Sequence, residues 1–230
     1  MRTGRPAHQE KFGRPFGEDL AANPELKASF DALMGPQGHG VPDQDIELTE
    51  GWEKVSAVVD LGSGTGAFLA QLLCRHPTVR GTLVDLPPTG ARSAAIFEEA
   101  GVADRVTTFG RSFFEALPAG ADLYGLKKIL NDWTDRETVV ILRRCAEAAS
   151  PADRVVVPGG VSPDNAPVEL TIEMVLLGAR TSSVAVFRNL ARQAGAEAAA
   201  GSPRPDGRFV VDAGLRVAAV AGSGRWASQP

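Results

Sequence analysis

Three glycines at alternate positions, Gly62, Gly64 and Gly66, sit between an apolar run ending VVDL and an amphipathic segment beginning AFLAQLL. Glycines at such a junction let the main chain turn tightly and approach a ligand closely. Their spacing is G-x-G-x-G, not the G-x-G-x-x-G of a pyrophosphate cradle. Asp85 closes the next apolar run, TLVD, 19 positions past Gly66. A carboxylate there can accept both hydroxyls of a ribose. Together these features favour a nucleoside without a pyrophosphate; for the glycines alone, a tight turn with no ligand is the plainer alternative. A second stretch of interest is LKKILNDWTDRET, residues 126–138, where Asn131 and Asp132 stand just ahead of a helix start. An amide cannot act as a base near neutral pH. Asp132 offers a carboxylate at the same place, although a structural role near the helix start suits it better.

Those residues need elements to hold them. From residue 55 onward, short apolar runs alternate with amphipathic segments. Strands are expected in KVSAVVDLG, RGTLVDLP, DRVTTFG, ADLYGLKKIL and ADRVVVPGG, and helices in TGAFLAQLLCRHP, ARSAAIFEEAG, TDRETVVILRRCAEAAS and SVAVFRNLARQAG. Thr134 and Glu137 form a Ser/Thr-x-x-Glu capping box for the third of these helices. AEAAAGSP and GRFVVDAG read as a closing hairpin around PRPD. This alternation predicts an α/β fold, a mainly parallel sheet covered by helices on both faces. Ligands on such sheets lie beyond the carboxyl ends of the strands, and the candidate residues fall there. Ahead of this unit, Asn23 and Pro24 make an N-cap and first-turn pair. Leu26, Phe30, Leu33 and Met34 follow on one face of a short helix.

Composition removes several classes of function. The chain has 230 residues, 43% apolar and 23% charged, with a formal net charge of −4. Its basic residues form no stripe, which argues against nucleic acid as a partner. No apolar run approaches the ~20 residues of a membrane span, and the start MRTGRPAHQEKFG has no apolar leader core. A cytoplasmic location is therefore expected. Cys74 and Cys145 both sit in apolar helical patterns and read as buried free thiols. His8, His39 and His76 are scattered, so no metal site is expected.

Taken together, TGRPAHQEKFGRPFGEDLAANP, VVDLGSGTG, GTLVDLP, DRVTTFGRSFFEALPAGADLYGLKKILNDWTD, ILRRCAEAA and VFRNLARQAG resemble, in order, the catalytic domain of class I S-adenosylmethionine-dependent O-methyltransferases. The resemblance is to the bacterial branch acting on aromatic polyketides and related natural products, kin to plant phenolic O-methyltransferases. It implies a Rossmann-like fold with a mainly parallel seven-stranded sheet and a C-terminal antiparallel hairpin. It also implies a helical lead-in over 1–50, a cofactor-binding domain over 51–213 and a tail over 214–230. By the same resemblance, Asp60, Gly62, Gly64, Gly66, Asp85, Leu86, Ser112, Phe113 and Lys127 would hold S-adenosyl-L-methionine. Phe30, Met34, Trp133, Met174 and Leu177 would line the pocket for a small aromatic acceptor.

In the plant-like members a histidine deprotonates the acceptor, held by two glutamates. The resemblance places Asn131 at the histidine, Gly159 at one glutamate and Thr181 near the other. The losses are mutually consistent, because carboxylates without the histidine would be buried without a partner. The expected function is methylation of a phenolic or acidic natural product by positioning, with Asn131 orienting the oxygen through its NH2 group and Asp132 beside it. The alternatives are an enzyme of another class using the same cofactor, hydroxylase- or cyclase-like, and a non-catalytic methyltransferase-like subunit. Members of the family carry an N-terminal dimerisation domain that this chain does not match. Exposed apolar surface around Phe12, Phe16, Leu20 and Phe30 is expected as a result. That surface would be covered in a homodimer or by a partner chain, unless the chain is a shortened form.

Overall fold

The computed structural model describes residues 7–34, 51–166, 181–198, 201–203 and 209–214. Strand β1 (Ala57–Leu61) lies at the centre of the sheet, between β2 (Arg80–Asp85) and β4 (Leu123–Gly125), with β3 (Val106–Gly110) outside β2 and β5 (Arg154–Pro158) outside β4. These five strands are parallel. The chain builds outward from β1 through β2 to β3, then returns to the other side of β1 for β4 and β5. That reversal opens a crevice beyond the carboxyl ends of β1 and β4, the place where open α/β sheets bind ligands.

The central strands are continuous apolar runs because both faces are covered. Successive residues of β1 point to opposite sides. Val58 joins Leu83, Leu123 and Val156 against Leu69, Leu72, Leu73 and Phe97 of helices α4 (Ala67–Arg75) and α5 (Pro87–Glu99). Val59 and Leu61 join Tyr124, Val155 and Val157 against Ile141, Leu142, Phe187 and Ala191 of α6 (Asp135–Ala148) and α7 (Val184–Gln193). The amphipathic helices fall where their periodicity places them. The Thr134–Glu137 capping box is formed in both directions. Ser183 caps α7 by accepting from the Val186 amide.

The sheet ends antiparallel, as expected. Two short parallel strands, β6 (Val161–Ser162) and β7 (Ser182–Ser183), pair beside it. β10 (Phe209–Gly214) runs against β5, and on its far side pairs both β8 (Glu197–Ala198) and β9 (Ser202–Pro203). Among the described residues the path through the sheet holds seven strands, with β9 an eighth short piece beside β10. One boundary differs. The strand expected through residues 121–130 ends at Gly125. Leu126 and Lys128 still donate to the β5 carbonyls of Val156 and Pro158, but Lys128 takes a left-handed φ of 54°. That turn swings the chain out of the sheet and sets Asn131 on a short 3₁₀ turn, Leu130–Asp132, at the mouth of the crevice.

Ahead of the sheet come α1 (Ala7–Phe12), α2 (Phe16–Ala22) and α3 (Pro24–Met34). Asn23 Oδ1 accepts from the Leu26 amide at 3.2 Å, as its capping role requires. His8 is buried with Nε2 2.9 Å from Asp19 and its ring against Phe12 and Phe16. Of the apolar residues expected to be exposed here, Phe12 is 56% exposed. Phe16, Leu20 and Phe30 are half-buried, and Phe30 packs edge-on against Phe16 at 5.4 Å between ring centroids.

Cys145 is buried, and burial pushes its thiol up to about 12. Cys74 is exposed, contrary to the helical pattern that placed it inside; it is the next-to-last residue of α4, past that helix's buried stripe. Arg105 accounts for much of the order at this end. Its guanidinium donates to the carbonyls of Leu73 at 2.9 Å, His76 at 3.1 Å and Val79 at 2.9 Å. Three carbonyls left by the end of α4 and the following turn thus share one cation. Arg105→Met is expected to cost about 2 kcal/mol, from the loss of charge-assisted hydrogen bonds. Thermal denaturation checks this: a fall of roughly 4–8 °C is expected for a chain of this size.

Candidate functional site

β1 delivers Asp60 and then the glycine loop. The Gly62 amide donates to Val84 O at 2.8 Å, so the loop is tied to the end of β2. All three glycines have left-handed backbone, with φ of 70°, 74° and 80° for Gly62, Gly64 and Gly66. Their surroundings differ. A Cβ on Gly62 would lie 2.8 Å from Phe113 and 2.9 Å from Ile129, and one on Gly66 would lie 2.5 Å from Phe97. A Cβ on Gly64 would meet nothing within 4 Å. The outer two glycines are required by packing; the middle one faces open space.

Asp85 and Leu86 bound that space. Asp85 Oδ2 accepts from the Gly64 amide at 2.9 Å, and Oδ1 from the Leu86 amide at 2.7 Å. Each carboxylate oxygen keeps acceptor capacity for a ligand hydroxyl. The Leu86 side chain is 56% exposed at the rim.

Asp60 is 1% exposed. Ser63 donates its hydroxyl to Asp60 Oδ2, while Oδ1 is buried without a hydrogen-bond partner. Burial raises the carboxyl to about 7; the Ser63 bond opposes the rise and the charge of Asp85 adds to it. A half-satisfied buried carboxylate is costly unless a cation meets it, so the site suits a ligand carrying an ammonium group. The pKa has a consequence for the free protein. Between about pH 4 and pH 7 the folded chain keeps a proton on Asp60 that the unfolded chain has released. This group's contribution to stability is full below pH 4, is lost as the pH rises to about 7, and is constant above. The total is of order 4 kcal/mol at ~1.4 kcal/mol per pH unit. Asp60→Asn is expected to abolish that slope and to raise Tm more at pH 8 than at pH 5; equal shifts at both would refute the buried charge.

The far wall is aromatic. Phe113 stacks edge-on to Trp133 at 5.7 Å, and Phe114 does so at 4.8 Å. Ser112 Oγ accepts from the Phe114 amide at 3.3 Å and, as a hydroxyl, retains a lone pair for an amino group. Arg144 of α6 donates to Phe114 O at 2.8 Å and pins this segment from below. Lys127 Nζ lies 4.1 Å from the centre of the Phe68 ring, a cation–π pair at the base of α4.

Asn131 stands beyond β4. Its Nδ2 donates to Asp132 Oδ1 at 3.0 Å. That bond engages one of the two hydrogens of the NH2 group, while Asn131 Oδ1 is buried without a hydrogen-bond partner. Gly160 packs against it, since a Cβ there would lie 3.3 Å from Oδ1. Gly159 lies beside Lys128, and Thr181 is half-buried just ahead of β7.

The structure thus brings Asp60, the three glycines, Asp85, Phe113 and Trp133 into one crevice, with Asn131 at its mouth. Phe30 makes its ring contact with Phe16 in the N-terminal helices. Met174 and Leu177, with His39, lie outside the described residues, as does the side chain of Met34. Sequence reasoning missed Ser63, Phe97, Ile129, Arg144 and Gly160. Only Gly160 carried a signal, as half of a glycine pair ending a buried strand. Among the described residues no group of His, Cys, Asp or Glu is arranged to hold a metal ion, and no helix is long and apolar enough to cross a membrane.

An open doubly wound sheet with a glycine loop between two carboxylates defines a nucleoside-binding class of α/β protein. The sequence matches the O-methyltransferase domain family over residues 1–197, and the chain belongs to that family. It is 38% identical over 205 residues to the 2,7-dihydroxy-5-methyl-1-naphthoate 7-O-methyltransferase of Streptomyces carzinostaticus, covering 88% of this chain and 61% of that protein. It is 41% identical over 157 residues to aclacinomycin 10-hydroxylase RdmB of Streptomyces purpurascens, covering 68% of this chain and 42% of that one. The chain therefore spans less than two thirds of the first relative and less than half of the second. The crystal structure of NcsB1, an O-methyltransferase from neocarzinostatin biosynthesis in complex with S-adenosylmethionine and 2-hydroxy-5-methyl naphthoic acid, superposes with a TM-score of 0.81. It is 35% identical, with 94% of this chain and 65% of that chain covered.

Proposed function

We propose that the chain binds S-adenosyl-L-methionine in the glycine crevice and directs its methyl group to a hydroxyl of a small aromatic natural product. The observation that carries this reading is the pair of carboxylates around the open face of Gly64. Asp60 Oδ1 is a buried acceptor suited to the ammonium of the methionine portion, and Asp85 to the ribose hydroxyls. Ser112 and Phe113 suit the adenine, one as acceptor for its amino group and the other as an apolar face. Lys127 borders the cofactor, and Trp133 faces the acceptor, with Phe30, Met34, Met174 and Leu177 assigned to the same pocket. When bound, the cofactor supplies a methyl group already activated on a sulfonium.

With Asn131 in place of a base, the residues contribute position. General-base catalysis gives roughly 10²–10⁴-fold, whereas holding reactants in line gives effective molarities of about 10⁵–10⁸ M. Positioning is the larger effect, so an amide at 131 is compatible with transfer. Incubation with methyl-labelled cofactor and a panel of hydroxynaphthoic acids and phenols tests the reading. Label in an aromatic product supports it; tight cofactor binding with no transfer to any acceptor refutes it.

The amide and the hydroxylase relative support a second reading, an enzyme that uses the bound cofactor without transferring methyl. Product mass separates the two, since methylation adds a CH2 unit. The exposed Phe12 and Leu26 suit a contact with a second copy or another chain, which sedimentation of the purified protein tests. We place the reaction in the cytoplasm, in keeping with two free cysteines.

A further inference from the structure

The turn at residues 111–116 carries two rings of the aromatic wall and is fastened from opposite sides. At its start the Arg111 amide donates to Asp85 O at 2.9 Å, so it follows the end of β2. Within it, the Phe114 amide donates to Ser112 Oγ at 3.3 Å and the Ser112 amide to Glu115 Oε1 at 3.2 Å, which sets its shape. The other fastening comes from α6, 30 positions along the chain, where Arg144 Nε donates to Phe114 O at 2.8 Å. The same guanidinium meets Glu147 one helical turn on, Nη1 to Oε2 at 2.7 Å, with side chains 38% and 51% exposed. Both rings of the turn face the site. Phe113 lies against the glycine loop, since a Cβ on Gly62 would stand 2.8 Å from it. Phe113 and Phe114 each meet Trp133 edge-on. A shift of the Phe114 carbonyl therefore moves the ring that closes on Gly62 and the contact that seats Trp133.

We infer that Arg144 is a positioning residue: its bond to Phe114 O sets where Phe113 stands against Gly62, and through that ring the affinity for the cofactor. The inference deepens the proposed function and rests on it for the identity of the ligand. The working feature is the N–H donor and not the charge. The pair with Glu147 is open to solvent, where ion pairs contribute little. The bond to Phe114 O is short and part-buried, and so holds the turn in place. The two properties can be separated chemically. Glutamine carries its side-chain nitrogen the same number of bonds from the main chain as arginine Nε, without the charge; methionine carries a methyl group there.

The test compares wild type with Arg144→Gln, Arg144→Met and Glu147→Gln by calorimetric titration with S-adenosylhomocysteine. It is run at a temperature where far-ultraviolet circular dichroism shows all four proteins folded. Arg144→Met is expected to bind roughly five- to tenfold more weakly, the value of one hydrogen bond. Arg144→Gln and Glu147→Gln should stay within about twofold of wild type. A second readout needs no ligand. With Trp52 and Trp226 replaced by phenylalanine, tryptophan emission comes from Trp133 alone; Arg144→Met should change that emission and Arg144→Gln should restore it. An arginine that merely stabilises the fold would lower Tm in the methionine variant and leave affinity or emission unmoved, and either result overturns the inference. So does a glutamine variant as weak as the methionine one, which would assign the effect to charge. Wild type that does not bind S-adenosylhomocysteine sinks the proposed function and this inference with it, whereas wild type that binds no better than Arg144→Met sinks the inference alone.

Discussion

Asp85→Ala is expected to lower affinity for S-adenosylhomocysteine by at least ~100-fold, because hydrogen bonds to a charged acceptor are worth about 1.5–3 kcal/mol each and a ribose offers two. The same change frees the amides of Gly64 and Leu86, which both donate to this carboxylate. The loop therefore loses its fixed shape as well as its ligand contact. Asp85→Asn separates the two effects. It keeps one side-chain oxygen as an acceptor but replaces the other with a donor that cannot receive an amide proton. Its affinity should fall between those of wild type and alanine. Calorimetric titration measures all three. Alanine binding within a few-fold of wild type would mean that the nucleoside is held elsewhere, and the proposed function would fall with it.

Gly66→Ala and Gly64→Ala are expected to fail in opposite ways. At Gly66 the new methyl would stand 2.5 Å from Phe97 and 3.2 Å from Leu83, on a backbone with φ of 80°. Overpacking of a core costs about 1–3 kcal/mol, and a left-handed alanine about 1–2 kcal/mol more. A loss of roughly 2–5 kcal/mol lowers Tm by about 5–15 °C in a chain of this size. At Gly64 the methyl meets nothing within 4 Å, so only the backbone strain remains, about 1–2 kcal/mol. It would project into the space assigned to the cofactor, however, and binding should drop by more than tenfold with the fold retained. Thermal denaturation paired with calorimetry distinguishes the two. A Gly64→Ala protein that binds normally would show that the open face of the loop is not the ligand's seat.

Much of the fold was legible because its signals are local. The capping box at Thr134 and Glu137 and the N-cap at Asn23 each depend on residues a few positions apart. The strands of the sheet centre announced themselves as unbroken apolar runs because both faces are buried. Where reading failed, a feature that hydrophobic pattern does not report decided. β4 ends at Gly125 because Lys128 turns left-handed. Cys74 is exposed because the buried stripe of α4 ends at Leu73.

The site divides in the same way. Gly62, Gly64, Gly66 and Asp85 were picked out by strand ends and spacing, and Asp60 by the family resemblance alone. Nothing in the local sequence told which glycine packs and which is open, since Phe97 and Phe113 arrive from other elements. The raised pKa of Asp60 was equally hidden, because desolvation depends on everything packed around a group.

The amino-acid sequence by itself determined the order of strands and helices, the family, and the residue types at the crevice. Periodicity, capping and glycine punctuation act over a few residues and survive without a fold. Only the tertiary structure decided that Gly66 is held by packing while Gly64 faces open space. That difference depends on Phe97, 31 residues past Gly66, closing on one glycine while a Cβ on the other would meet nothing within 4 Å.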